Sequence, residues 1–155
     1  MKLPPHKRAW YDKVLRAIKV TQAGPSAADL LNAPVLTRWH PALSPRGHVI
    51  LWGEVINHPR LGSAYITTSQ LIAINYQSGW ARTASRWYQL SDSLAKLEAN
   101  GGQAIEKQMA GSFHYPLPGF TNIDDPTLLQ DLLAAYIARV HQIDAEDRAY
   151  RDEEG

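Results

Sequence analysis

Trp80, Arg82, Arg86 and Tyr88 recur at even spacing through Gly79-Trp-Ala-Arg-Thr-Ala-Ser-Arg-Trp-Tyr88, and their types invite a binding reading. On one extended strand they share a face with Ala84, while Ala81, Thr83, Ser85 and Trp87 fall opposite. Alternate side chains on a strand stand about 6.8 Å apart, comparable to successive phosphates of an extended nucleic acid strand. Two guanidinium groups can then pair with phosphates while the rings stack on bases. The same residue types anchor protein interfaces. The structural alternative is that Arg82 and Arg86 lay their stems over apolar surface and pair with Glu54, Asp92 or the acidic C-terminal helix. His58 and Arg60 join these four as candidate binding residues.

Other chemistry is thinly represented. His40, His48 and His58 fall near expected strand ends, but no HxH, HxxxH or HExxH spacing occurs, so no metal site is expected. Thr67-Thr68-Ser69 and Ser85 offer hydroxyls with His58 as a conceivable base, yet no G-x-S-x-G turn surrounds them. Neither a Walker loop nor a dinucleotide fingerprint is present, so no cofactor is expected. The absence of cysteine excludes disulfides, thiolate metal sites and Cys nucleophiles and fits a reducing cytoplasm.

The elements that must hold these residues read as one α+β domain over residues 1–155. A first helix from about His6 to Val20 places Trp10, Val14, Ala17 and Ile18 at helical spacing. Ser26, with Asp29 three residues on, caps a short helix to Asn32. Residues 1–33 are therefore the helical N-terminal part. Val35–Pro41 is a short extended or turn segment. A small, mostly antiparallel sheet is expected over residues 48–90: a central strand His48–Asn57, one or two strands in Ala64–Asn75, and a strand Trp80–Leu90. Ser91 or Asp92 caps a further helix to about Ala99, and residues 103–122 form an ordered loop with a helical turn near Ala104–Met109. Asp125-Pro126 starts a long helix over about 126–150, with a stripe from Leu128 and Leu129 to Ile143 and a charged tail prone to fray past Asp144.

Charge is uneven along the chain. Residues 1–60 hold nine Lys/Arg against three Asp/Glu, and residues 121–155 hold three against nine. Either a basic face awaits an acidic partner, or two solvated helices neutralise each other. No apolar run reaches the roughly 20 residues a membrane helix needs, and no signal-like segment opens the chain. A soluble, cytoplasmic protein with no membrane partner is the expectation; oligomeric state is not readable.

One resemblance adds to this. Gly53-Glu-Val-Ile-Asn-His58-Pro-Arg-Leu61, Ile66-Thr-Thr-Ser69 and Gly79–Leu90 resemble a domain-of-unknown-function family of alphaproteobacterial genomes, plasmids and phages. Its pattern runs G-x-V-x-x-H-P, then T-S, then G-W-A-R-T-x-S-R-x-Y-x-L. Ser91 stands where members often carry Gly. The resemblance implies a mobile-element accessory protein and brings no catalytic residues. The leading expectation is a non-enzymatic binding protein of a phage or other mobile element. It would occupy a surface of a host protein or nucleoprotein complex, anti-defence of the anti-CRISPR type being one form. A nucleic-acid-binding regulator using Arg82, Arg86 and the basic first helix is the alternative, and a small hydrolase or transferase using His58 is the second.

Overall fold

The computed structural model describes residues 2–58, 60, 62–96 and 118–154. Helix α1 (Pro5–Ala23) starts on a proline whose missing N–H costs nothing at a helix N-terminus, and Gly24 ends it at φ +78°. It buries Val14, Ala17 and Ile18, the stripe its periodicity predicts. Helix α2 (Ala27–Leu31) carries the expected cap: the Ser26 hydroxyl accepts from Asp29 N–H, and the Asp29 carboxylate accepts from Ser26 N–H.

Seven strands follow: β1 (Val35–Leu43), β2 (Val49–His58), β3 (Gly62–Thr67), β4 (Leu71–Asn75), β5 (Trp80–Thr83), β6 (Trp87–Leu90) and β7 (Thr121–Asn122). Their order is β3-β2-β1-β6-β5-β4, with β7 paired to the far end of β1. All pairs are antiparallel except β1 with β6. Helix α3 (Pro126–Glu154) completes the fold, started by Asp125, which accepts from Thr127 N–H. The fold is α+β: a mixed sheet held between an N-terminal and a long C-terminal helix.

Two expectations about the sheet are corrected. It begins at Val35 rather than near residue 48, because Val35–Leu43 is a full strand at its centre. Trp80–Leu90 is a hairpin rather than one strand, as detailed below. Of the expected 91–99 helix, Leu94–Lys96 is helical, with Ser93 accepting from Lys96 N–H; the rest of that helix and most of the expected 103–122 loop lie outside the described residues.

The strand order forces curvature. A flat sheet would separate β3 from β4 by about 24 Å, five strand spacings. Only Thr68, Ser69 and Gln70 join them, and so short a link spans at most roughly 14 Å between the flanking Cα atoms. The sheet therefore curls until the link stitches its two flanks. Thr68 N–H donates to Leu51 O at 2.8 Å on one side, and Gln70 O accepts from Ala84 N–H at 2.8 Å on the other. Inside the curl lie Leu36, Leu51, Val55, Leu71, Ala81 and Tyr88, closed off by Leu129 and Leu133 of α3. On the outer side, Val14, Ala17 and Ile18 of α1 meet Val140 of α3 over Ile72.

Two bulges bend β1 and β2, the second of which carries His58. In β1 the pairing shifts between Thr37 and His40, with Arg38 at φ +52°. Gly53 faces this kink, and a Cβ there would stand 2.9 Å from both Thr37 O and Trp39 Cα. Glycine is thus required at position 53 by a close backbone approach. In β2 the register shifts between Val55 and His58, with Asn57 at φ +62°.

One residue, Arg8, joins the basic start of the chain to its acidic end. Arg8 of α1 pairs with Asp12, Asp144 and Asp147 at 2.7, 2.7 and 2.9 Å, and Arg151 pairs with Asp147 at 3.0 Å. Asp147 is fully buried and also accepts the Leu3 N–H. The expected fraying past Asp144 is corrected: α3 continues to Glu154.

Candidate functional site

Thr83 turns the chain out of β5. Its N–H donates to Arg86 O at 2.9 Å, and its hydroxyl oxygen accepts from the Ser85 and Arg86 N–H groups, both at 3.2 Å. A threonine hydroxyl here does the work more often given to Gly, Asn or Asp. The return strand sets Trp80 opposite Gln89, Ala81 opposite Tyr88 and Arg82 opposite Trp87. Opposed residues share a face, so the expected partition of side chains is overturned. Trp87 joins Trp80 and Arg82: the indoles meet edge-on at 5.4 Å, and the Arg82 guanidinium carbon lies 5.4 Å from the Trp87 ring centre. Tyr88, expected beside the arginines, turns into the core and is 4% exposed. Its ring is therefore unavailable for stacking on a base.

Arg82 is half-buried and its Nε donates to Thr83 O at 3.0 Å. Burial lowers its pKa, with Asp29 pulling the other way. Arg86 sits in the turn rather than along the strand, so the two arginines do not form a ladder of strand spacing. Instead Arg86 is a wall between two grooves. One, about 320 Å³, runs past Asp29, Asn32, Arg82 and Trp87 beneath α2. The other, about 210 Å³, gathers His58, Thr67, Ser69, Ser85 and Arg86 over Tyr88.

The β2 bulge at Asn57 delivers His58 to this second groove, a re-aiming of the kind bulges commonly perform. His58 Nδ1 accepts from Arg60 N–H at 3.1 Å, so the neutral ring carries its proton on Nε2. Burial lowers the His58 pKa, and Arg86 and Arg60 lower it further. Ser69 and Ser85, sixteen residues apart, place their hydroxyl oxygens 3.1 Å from each other. Of the six candidates, then, His58 and Arg86 share a groove and Arg82 lines the neighbouring one. Arg60 is exposed and acts through its charge and its backbone N–H, Trp80 braces Trp87, and Tyr88 is floor.

His40 and His48 go elsewhere. His40 Nε2 lies 2.8 Å from Asp124, and His48 Nδ1 lies 3.1 Å from Gln70 Oε1. Among the described residues, no group of three or more His, Cys, Asp or Glu is placed to hold a metal ion.

A larger cavity, about 700 Å³, was not anticipated. Trp10 and Tyr11 of α1 face Ile50 and Phe120 across it, with His48 and Gln70 among its polar lining. Its only forewarning in the sequence is the aromatic pair on an otherwise basic helix.

A curled mixed sheet clasped by two helices, with a cationic groove at the meeting of its flanks, defines a small α+β protein. The chain belongs to DUF6634, a family of unknown function, which matches it over residues 1–155. No curated protein and no solved structure matches it. Among the described residues, no helix is long and apolar enough to cross a membrane.

Proposed function

We propose that this is a non-enzymatic binding protein that occupies an acidic surface of a partner, with Arg60, Arg82, Arg86 and His58 forming the contact face. The carrying observation is one of unequal pairing. Arg8, Arg148, Arg151 and Lys96 each have a carboxylate within salt-bridge distance, whereas Arg60, Arg82 and Arg86 have none among the described residues. A half-buried guanidinium loses hydration without regaining a counter-charge, and a bound anion restores it. The exposed α1 cations Lys7, Lys13, Arg16 and Lys19 also lack a carboxylate within salt-bridge distance among the described residues, but they stay solvated, whereas Arg82 and Arg86 are half-buried in grooves between elements.

Two features favour binding over catalysis. The lone pair of His58 Nδ1 is engaged by Arg60 N–H, which leaves the neutral ring no nitrogen to take a proton from Ser or Thr. The Ser69 and Ser85 hydroxyls bond to each other rather than to an imidazole. Of the two rings that the single-stranded nucleic acid alternative would stack on bases, Tyr88 is buried and Trp80 is half-buried against Trp87, which weighs against that alternative. The source we propose is a phage or other mobile element, with a host protein or nucleoprotein complex as the partner.

The test places a photo-reactive phenylalanine analogue at position 60 and, as control, at Tyr150, an exposed residue of α3. In host lysate, position 60 should give a discrete adduct that Arg86→Glu removes and position 150 does not reproduce. No adduct from position 60, or one indifferent to Arg86→Glu, ends the reading.

A further inference from the structure

We propose that the groove bounded by His58, Ser69, Ser85 and Arg86 binds a terminal phosphoryl group, free or as a monoester. This rests on the reading of this face as the contact surface and names the chemistry at its centre.

The groove is assembled from three separate segments: the end of β2, the β3–β4 link, and the β5–β6 turn. Among the described residues, no acidic side chain lines it. Its floor and wall include the Tyr88 ring and Ile66, apolar surface that strengthens charge interactions above it. Arg86 brings a forked set of N–H donors that no acceptor engages among the described residues. The Ser69–Ser85 pair holds two hydroxyl hydrogens and uses one between its oxygens. Whichever hydroxyl donates, one hydrogen remains to be given outward. The exposed Thr67 hydroxyl stands at the rim.

These donors count toward three oxygens rather than two. The guanidinium fork fits two oxygens of a phosphoryl group side by side, and the spare serine hydrogen meets a third. A monoester presents three terminal oxygens, whereas a diester presents two. The Asn57 bulge, where the backbone takes φ +62°, sets His58 at the edge of this groove. A bound dianion also offsets the Arg86 and Arg60 charges that hold the His58 pKa down. His58 therefore reports occupancy.

The experiment is amide and histidine-ring NMR of the full chain at fixed ionic strength, titrated with inorganic phosphate, phenyl phosphate and dimethyl phosphate. Phosphate and phenyl phosphate should each give saturable shifts centred on Ser69, Ser85 and Arg86, and should raise the His58 midpoint. Tighter binding of phenyl phosphate assigns the site to a phosphorylated molecule; tighter binding of phosphate assigns it to the free ion. Dimethyl phosphate should bind at least about tenfold more weakly, the cost of one well-placed charge-assisted contact. Arg86→Gln should weaken phosphate about tenfold or more and Ser85→Ala about fivefold, while Lys13→Gln on α1 leaves affinity unchanged. Amide dispersion verifies that each variant is folded. Shifts that stay linear, persist in both folded groove variants, or appear equally with the diester overturn the proposal. If phosphate fails while the adduct from position 60 persists, only the phosphoryl assignment falls; if both fail, the face itself does.

Discussion

The backbone N–H of Leu3 donates to the Asp147 carboxylate at 2.7 Å, joining residues 144 positions apart in a buried site. Arg8 and Arg151 hold the same carboxylate, so the segment before α1 and the far half of α3 are tied by one anion with three donors. The Leu3 hydrogen bond, with those from the two arginines, brings the Asp147 pKa down to about 2. Around Arg8, burial opposes the charge, but hydrogen bonds to Asp147, Asp12 and Asp144 outweigh it and raise its pKa.

Asp147→Asn should therefore lower the melting temperature at neutral pH by several degrees. A carboxyl with a depressed folded-state pKa contributes stability above its unfolded pKa, near 4, and loses it as pH falls toward 2. The gap between wild type and Asp147→Asn should narrow over that window in urea titrations. A gap independent of pH would mean that the carboxylate charge is not what stabilises the clasp.

Gly53→Ala drives a methyl group against the β1 kink at Thr37 and Trp39, where the neighbours are backbone atoms that cannot rotate aside. The expected loss is at least about 1–3 kcal/mol, the range for overpacking. It should appear as a lower urea midpoint with an unchanged slope.

Asn57 separates backbone strain from side-chain chemistry. Asn57→Ala should cost about 1 kcal/mol, because alanine tolerates φ +62° poorly, whereas Asn57→Gly should be nearly neutral. Urea unfolding of both variants checks the difference. Equal losses would point to the amide group rather than to the conformation.

Thr83→Val keeps the shape of the side chain and removes the oxygen that accepts from Ser85 and Arg86. Leaving those turn amides unsatisfied should cost about 1–3 kcal/mol, with Thr83→Ser close to wild type. Hydrogen exchange at the Ser85 and Arg86 amides should quicken in Thr83→Val alone.

What was legible in the sequence is what local chemistry decides. The Ser26–Asp29 capping box and the Asp125-Pro126 start of α3 use partners within a few residues, and both stand as expected. The alternation of β2 shows its two buried faces. Strand β1 shows in the sequence only as a short extended or turn segment because its kink at Arg38 and its Pro41 break the alternation, and its pairings with β6 and β7 are remote in sequence. The β5–β6 turn escaped notice because the even spacing runs on through it, with a Thr hydroxyl replacing the usual turn residues. The types of His58 and Arg86 mark them as candidates, but their meeting depends on a bulge and on the curl of the sheet, which spacing alone does not reveal.

The clasp between Leu3, Arg8, Asp144 and Asp147 bears on the order of folding. The hairpins β1–β2, β2–β3, β4–β5 and β5–β6 close over short loops and can form early. The parallel junction of β1 with β6 and the docking of α1 on α3 close loops tens of residues to more than a hundred residues long, contacts of the kind that slow folding. During synthesis the apolar stripe of α1 can dock on Ile72 and Ala84 once the sheet forms, but its cover is complete only when Val140 of α3 arrives. Until then part of the Val14, Ala17 and Ile18 surface faces water, an aggregation hazard that lasts as long as the C-terminal half is unmade.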